Sequence, residues 1–321
     1  MTSASVADQV RALRERAAFC VHGLRALVRV GGTDRLPWIE RLSSNPVEAV
    51  PRGRTVASTF MDGKGKLQAD MRVHTVGDEG LLLEIPGGDR ERIMKRLDMY
   101  VINDDVTLTA LDEAHLVSLL GPEALEVARR LELPVPGPGE ALADEAFTLV
   151  VRSRLAGVDG LDLVPAGGGA DALAARLREA DVVEAGLEAL DVVRVRAGVP
   201  WFERDLSGGV IPLEARLDDH VSITKGCYPG QEVVARIQNL GQVSRRLVTL
   251  AAEGEAPLEA GTELVGTGEL DGKPAGVLTS CVTDPLDGCT RGLGYARRAF
   301  WAPGTTLRAG DVELVVGEPG S

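Results

Sequence analysis

The sequence predicts an α+β protein that finishes in a small all-β unit. Up to about residue 241, apolar residues at helical spacing interleave with short alternating runs that suit strands. Beyond that point only short strand-like runs remain, separated by Gly, Pro and Asp. With 321 residues, 44% hydrophobic and 26% charged, the chain can fill two or three domain cores. The expected division is an α+β core over 1–241, built of two interleaved subdomains, and a β unit over 242–321.

Val6, Val10, Leu13 and Ala17 predict a helix over residues 5–20. A strand follows at 27–30, and Gly31-Gly32-Thr33-Asp34 turns and caps a helix carrying Leu36, Trp38, Ile39 and Leu42. Strands at 55–61 and 67–74 flank Asp62-Gly63-Lys64-Gly65, a hairpin signal. In the second, Leu67, Ala69, Met71 and Val73 share one face, leaving Gln68, Asp70, Arg72 and His74 on the other. A strand at 81–85, a helix at 89–99 and a strand from Tyr100 through Leu108 come next.

Residues 114–120 are strand-like, Pro122 opens a helix to about 131, and Pro-rich 133–139 is a surface loop. Strands at 147–154 and 161–164 enclose a Gly157–Gly160 turn, and a helix runs over 171–180. Residues 190–197 suit helix or strand equally. The closing runs at 247–250, 263–265, 275–281, 293–295 and 312–316 predict a barrel or sandwich of about 75 residues.

A net charge of −13 argues against direct nucleic-acid binding. Four cysteines (Cys20, Cys227, Cys281 and Cys289) without a C-x-x-C pair suit reduced thiols in a cytoplasm and no stably bound metal. No apolar run approaches membrane length, and Met1-Thr2-Ser3 lacks a basic leader, so neither export nor a membrane span is expected.

The stretch with most chemistry is Lys225-Gly226-Cys227-Tyr228-Pro229-Gly230-Gln231-Glu232, leading through Val233 to Arg236. A thiol two residues from an ammonium and just ahead of a helix start is placed to favour its thiolate form. Such a thiol suits redox sensing, mixed-disulfide formation, transient cluster ligation or nucleophilic attack. The last wants a histidine base, and the nearest, in Asp218-Asp219-His220, reads as a solvated helix end. Lys225 has a bland alternative as a plain surface lysine. Gln231, Glu232 and Arg236 belong to the motif, although Glu232 and Arg236 at i,i+4 also suit a simple helix ion pair.

The pattern K-G-C-Y-x-G-Q-E-x-x-x-R resembles the signature of the YgfZ family, folate-binding-like proteins that support iron–sulfur cluster assembly or repair. That family is related to the glycine-cleavage T-protein, an aminomethyltransferase. Gly65 to Asp70, Ala197 to Pro200, Ile211 to Ala215, Gly276 to Ser280 and Gly292 to Tyr295 extend the resemblance over roughly residues 11–316. It implies a multi-domain ring around a central hole with a C-terminal all-β barrel. It also implies a weakly held tetrahydrofolate or related folate contacted by Asp70 and Phe202. Iron–sulfur client enzymes, tRNA-modifying ones among the candidates, or cluster carriers would be the partners. The alternative it implies is a tetrahydrofolate-dependent aminomethyl or methyl-group transferase.

Departures weigh against the alternative. Where T-proteins carry a pterin-gripping aromatic, glutamate and arginine, this chain has Leu155, Val158 and Leu190. Losing two charge-assisted hydrogen bonds, at about 1.5–3 kcal/mol each, weakens folate by roughly 10²- to 10⁴-fold. A basic strip of Lys225, Arg236 and Arg245 would then admit the ligand's anionic tail.

Overall fold

The computed structural model describes residues 4–77 and 80–317. Two sheets and a barrel carry the fold. The first sheet has five antiparallel strands, in the order Arg54–Met61, Leu67–Val76, Gly80–Pro86, Arg25–Gly31 and Thr107–Ala110. The second orders Val183–Glu184, Ala18–His22, Leu116–Leu120, Gly160–Pro165, Phe147–Arg152 and Ala141–Leu142. Their inner faces meet in an apolar cluster that includes Leu27, Leu82, Leu116, Leu149 and Val164.

Strand alternation then decides what each outer face buries. Ala69, Met71 and Val73 pack beneath the helices Arg35–Leu42 and Arg90–Asp98, with Trp38, Ile39, Ile93 and Leu97. Phe19, Leu119 and Leu163 pack beneath Ala124–Arg130 and Ala170–Glu179. Leu67 parts company with its strand-mates and joins Val195, Leu206 and Tyr295, because the register shifts beside it at Phe60/Met61.

The helix Val6–Glu15 lies on the helix Leu187–Ala197, burying Val10 and Leu13 against Ala189, Leu190 and Val193. The ambiguous stretch at 190–197 is thus helix. The first expected helix stops at Glu15, because Arg16 leaves helical geometry at φ −137°. Ala18–His22 is a buried strand in its place. Likewise the strand expected from Tyr100 through Leu108 is formed only over Thr107–Ala110. Asp34 precedes its helix without a side-chain cap, and its carboxylate accepts from Asp105 N instead, at 2.8 Å.

The barrel is closed, in the strand order Arg245–Ala252, Thr290–Arg297, Pro274–Thr283, Glu263–Gly266, Thr306–Ala309 and Val312–Val316. Closure leaves no free sheet edge. A buried ion pair ties the barrel to the rest. Arg194, fully buried, donates through Nη1 to Asp205 Oδ2 at 2.5 Å and through Nη2 to Ser280 Oγ at 2.8 Å. Asp205 Oδ1 accepts from Thr279 Oγ1 at 2.6 Å and Ser280 Oγ at 2.7 Å, and both hydroxyls belong to the barrel. No helix among the described residues is long and apolar enough to cross a membrane.

Candidate functional site

A cavity of about 460 Å³ opens where the inner face of the five-stranded sheet runs past the second sheet. Its walls are apolar: Leu24, Pro86, Leu155, Trp201, Phe202 and Leu217. Its floor is ionic, with Arg25, Asp70, Arg72 and Glu84 projecting from three adjacent strands. The polar face read from 67–74 therefore turns inward. Asp70 and Phe202 both line this space.

The floor is a chain of charges. Arg25 Nη1 donates to Asp70 Oδ2 at 2.8 Å, and its Nε donates to Glu84 Oε1 at 2.9 Å. Arg72 Nη2 bridges Glu84 Oε1 at 2.7 Å and Asp162 Oδ2 at 2.6 Å, joining the two sheets. Ser118 Oγ continues the chain from Asp162 Oδ1, at 2.6 Å, to His22 Nε2 at 2.8 Å. Burial by itself would raise the Glu84 carboxyl, but Arg72, His74 and Arg25 hold it well below the carboxylate range. Burial pushes His22 and His74 below the ordinary histidine value, so both rings are held neutral. Asp70 Oδ1 is buried, and among the described residues it has no hydrogen-bond partner. A buried acceptor left this way costs about 1–3 kcal/mol unless a donor arrives.

The Lys225–Glu232 stretch is organised differently from the sequence expectation. Lys225 does not serve the thiol. Its side chain is 2% exposed, and Nζ donates to Glu40 O at 2.5 Å and Ser43 O at 2.7 Å, capping the helix Arg35–Leu42. The Glu40 carboxylate completes the cage at 3.1 Å. Desolvation draws the ammonium below its usual 10.5, with Glu40 opposing. Gln231 Nε2 donates to Lys225 O at 3.1 Å, and Tyr228 OH donates to Ser222 O at 2.7 Å.

Gly230, at φ 82°, leads into the helix Gln231–Leu240. A Cβ on it would lie 2.6 Å from Gly65 Cα, so the loop is seated directly on the Asp62–Gly65 turn. Cys227 alone of the four cysteines is exposed, and among the described residues no hydrogen bond reaches its sulfur. Glu232 and Arg236 are exposed and unpaired with each other. The basic strip is not assembled either: Lys225 is buried, and Arg245 bonds Glu214 at 3.1 Å while stacking on Tyr295.

Sequence reasoning missed His220, which lines the cavity rather than a solvated helix end. Its Nδ1 lies 2.8 Å from Asp219 Oδ1, and Asp219 accepts from Arg154 Nη1 at 2.6 Å. The His220 hydrogen bond drives Asp219 well below the carboxylate range, with Arg154 adding to it against desolvation. The signal available was position: three polar residues wedged between apolar Leu217 and Val221.

The model of the GCVT N-terminal domain matches residues 2–225. The chain belongs to the GCVT family. Mouse iron-sulfur cluster assembly factor IBA57, mitochondrial, is 31% identical over 272 residues, spanning 78% of this chain and 72% of its own length. An aminomethyltransferase of Moorella thermoacetica is 27% identical over 308 residues, 90% of this chain and 79% of that one. The crystal structure of aminomethyltransferase T from Bartonella henselae superimposes with a TM-score of 0.88 at 22% identity, covering 99% of this chain and 90% of its own. That likeness establishes the fold, a mixed α/β assembly with the closed six-stranded barrel. Within this GCVT chain, Leu155 does line the cavity, whereas Val158 and Leu190 pack into the cluster around Val10, Leu13 and Trp201.

Proposed function

We propose that this GCVT protein is a folate-binding-like accessory factor for assembling or repairing iron–sulfur proteins, presenting Cys227 to a client enzyme or cluster carrier. The observation that carries this reading is the contrast within one motif. Lys225, Tyr228, Gly230 and Gln231 are used up in fixing the loop, and the thiol is left exposed at its outside. A fixed, exposed sulfur suits a ligand or sulfur contact made in transit. One thiolate is a single ligand, so the partner or a small thiol completes the cluster's coordination. The likeness to an iron–sulfur assembly factor supports the same reading.

The cavity fits a folate on the residues present. Its apolar walls carry Trp201 and Phe202, and Asp70 Oδ1, buried with no partner among the described residues, calls for a ligand N–H. Bound tetrahydrofolate supplies one-carbon carrier chemistry. Asp70 would accept the ligand N–H, held in place by Arg25, while Trp201, Phe202 and Leu155 exclude water. Val158 and Leu190 offer no polar grip, so binding is weak.

The test is deletion of the gene, assays of several iron–sulfur enzymes, and complementation with Cys227→Ser. Loss of those activities, unrestored by Cys227→Ser, is the expected result; full restoration would refute the role of the thiol. A second reading, tetrahydrofolate-dependent aminomethyl transfer, is favoured by Asp70 Oδ1 and by the aminomethyltransferase relatives. Sustained methylenetetrahydrofolate production from an aminomethyl donor, abolished in Asp70→Ala, would establish it instead.

A further inference from the structure

The folate reading leaves His220 without a task. Nδ1 faces the Asp219 carboxylate, which can only accept, so Nδ1 carries the ring proton and Nε2 is left with a lone pair. Nε2 makes no hydrogen bond to the protein among the described residues. The ring is held from several sides. Asp219 is gripped by Arg154, the Asp219 carbonyl accepts from Asn45 Nδ2 at 2.8 Å, and the His220 carbonyl accepts from Ser44 Oγ at 2.6 Å. The imidazole, with its side chain 16% exposed, is therefore a fixed group of the cavity wall.

The cavity's other ionisable groups are Arg25, Asp70, Arg72 and Glu84 on the floor, Arg154 beside Asp219, and Glu203 on the Trp201–Leu206 loop. Arginines keep their protons at any working pH, and Glu84 is held ionised by its cations. Histidine is the side chain that exchanges a proton near neutrality, and Asp219 supplies the counter-charge for an imidazolium.

We propose that His220 is a ligand-contacting hydrogen-bond acceptor: its neutral Nε2 accepts from an N–H of the cavity's ligand, as the second polar grip beside Asp70 Oδ1. The inference rests on the folate-cavity reading and names how that cavity compensates for Val158 and Leu190. The grip that those two apolar side chains cannot give comes from His220, on the segment that leads to Cys227. The ligand class that follows is one with at least two separated N–H donors, which the reduced pterin ring provides. Because only neutral Nε2 accepts, acid must compete with the ligand. Binding then expels the proton from any imidazolium present, and it returns to solvent.

The experiment is calorimetric titration of the full chain with tetrahydrofolate, kept anaerobic, between pH 6 and 7.5 in two buffers of different ionisation enthalpy. Wild type is expected to release a fraction of a proton on binding, and its Kd is expected to rise toward tenfold per pH unit on the acid side. His220→Gln should bind more weakly, release no proton and lose the pH dependence at an unchanged melting temperature. Asp219→Asn keeps a hydrogen-bond acceptor for the ring but removes the counter-charge, so release should move to lower pH, a change that a purely structural role would not produce. Glu203→Gln should retain the wild-type release. Proton release that persists in His220→Gln, or vanishes in Glu203→Gln, overturns the proposal while leaving the folate reading standing. Wild type that does not bind tetrahydrofolate overturns both.

Discussion

Replacing Lys225 by Met separates two accounts of the Lys225–Glu232 motif. Met keeps the apolar stem and removes the ammonium that caps Glu40 O and Ser43 O. Two charge-assisted hydrogen bonds at about 1.5–3 kcal/mol each are lost. The ammonium's own desolvation, seen in its lowered proton affinity, offsets part of that. Glu40 is not stranded, since Oε2 still accepts from Val47 N at 2.6 Å and Glu48 N at 3.0 Å. The net loss should fall near the low end for a broken buried pair, about 3 kcal/mol. At roughly 2 °C per kcal/mol for a large domain, the melting temperature should drop by about 6 °C. Calorimetry gives that figure, and iodoacetamide labelling at 20 °C, with the variant still folded, reports on Cys227. An unchanged melting temperature together with slowed Cys227 labelling would show that Lys225 acts on the thiol after all.

Gly230→Ala forces a Cβ into the Asp62–Gly65 turn at positive φ, so strain and overlap together should cost about 3 kcal/mol in urea unfolding. Alkylation should take Cys227 first and Cys20 last. The order follows exposure, since burial pushes the Cys20 thiol up to about 12 and raises Cys281, and peptide mapping after a short pulse reads it. His22 and His74 are buried neutral, so below about pH 6.5 the unfolded chain takes up protons that the folded chain refuses. Stability should therefore fall by up to about 2.5 kcal/mol between pH 7 and 5.5, and a flat urea midpoint across that range would contradict it.

What the sequence made legible was periodicity over long elements. Alternation in Leu67–Val76 announced the strand and its polar face, but left open whether that face met solvent or a pocket. Short apolar runs were less readable. Ala18, Phe19 and Cys20 read as an extension of the first helix, and only pairing with Leu116–Leu120 makes them a strand. The motif with Cys227 was visible, but the direction in which Lys225 points depends on a helix end some 180 residues earlier, and local spacing carries no trace of it. Asp219 and His220 looked solvated for a related reason. Asp-Asp-His is polar by composition, and its use as a cavity wall is set by Arg154, Asn45 and Ser44 from distant loops. Arg194 and Asp205 are both fully buried as a pair, which no hydropathy pattern distinguishes from two surface charges.

The Arg194–Asp205 tie has a consequence for the order in which the molecule can be completed. Every residue lining the cavity lies between Gly23 and His220, so all of them leave the ribosome before the barrel does. Yet Asp205, on the turn that carries Trp201 and Phe202, receives hydroxyls from Thr279 and Ser280. Until those two residues are made and folded, Asp205 Oδ1 lacks the donors that bind it, and the aromatic wall rests on bonds such as those of Trp201 to Leu155 O and Asp205 Oδ2. The nascent chain is thus expected to carry every ligand contact and still be unable to hold a ligand. Competence arrives with the last strands, and a chain truncated before the barrel would keep the binding sequence without the binding site.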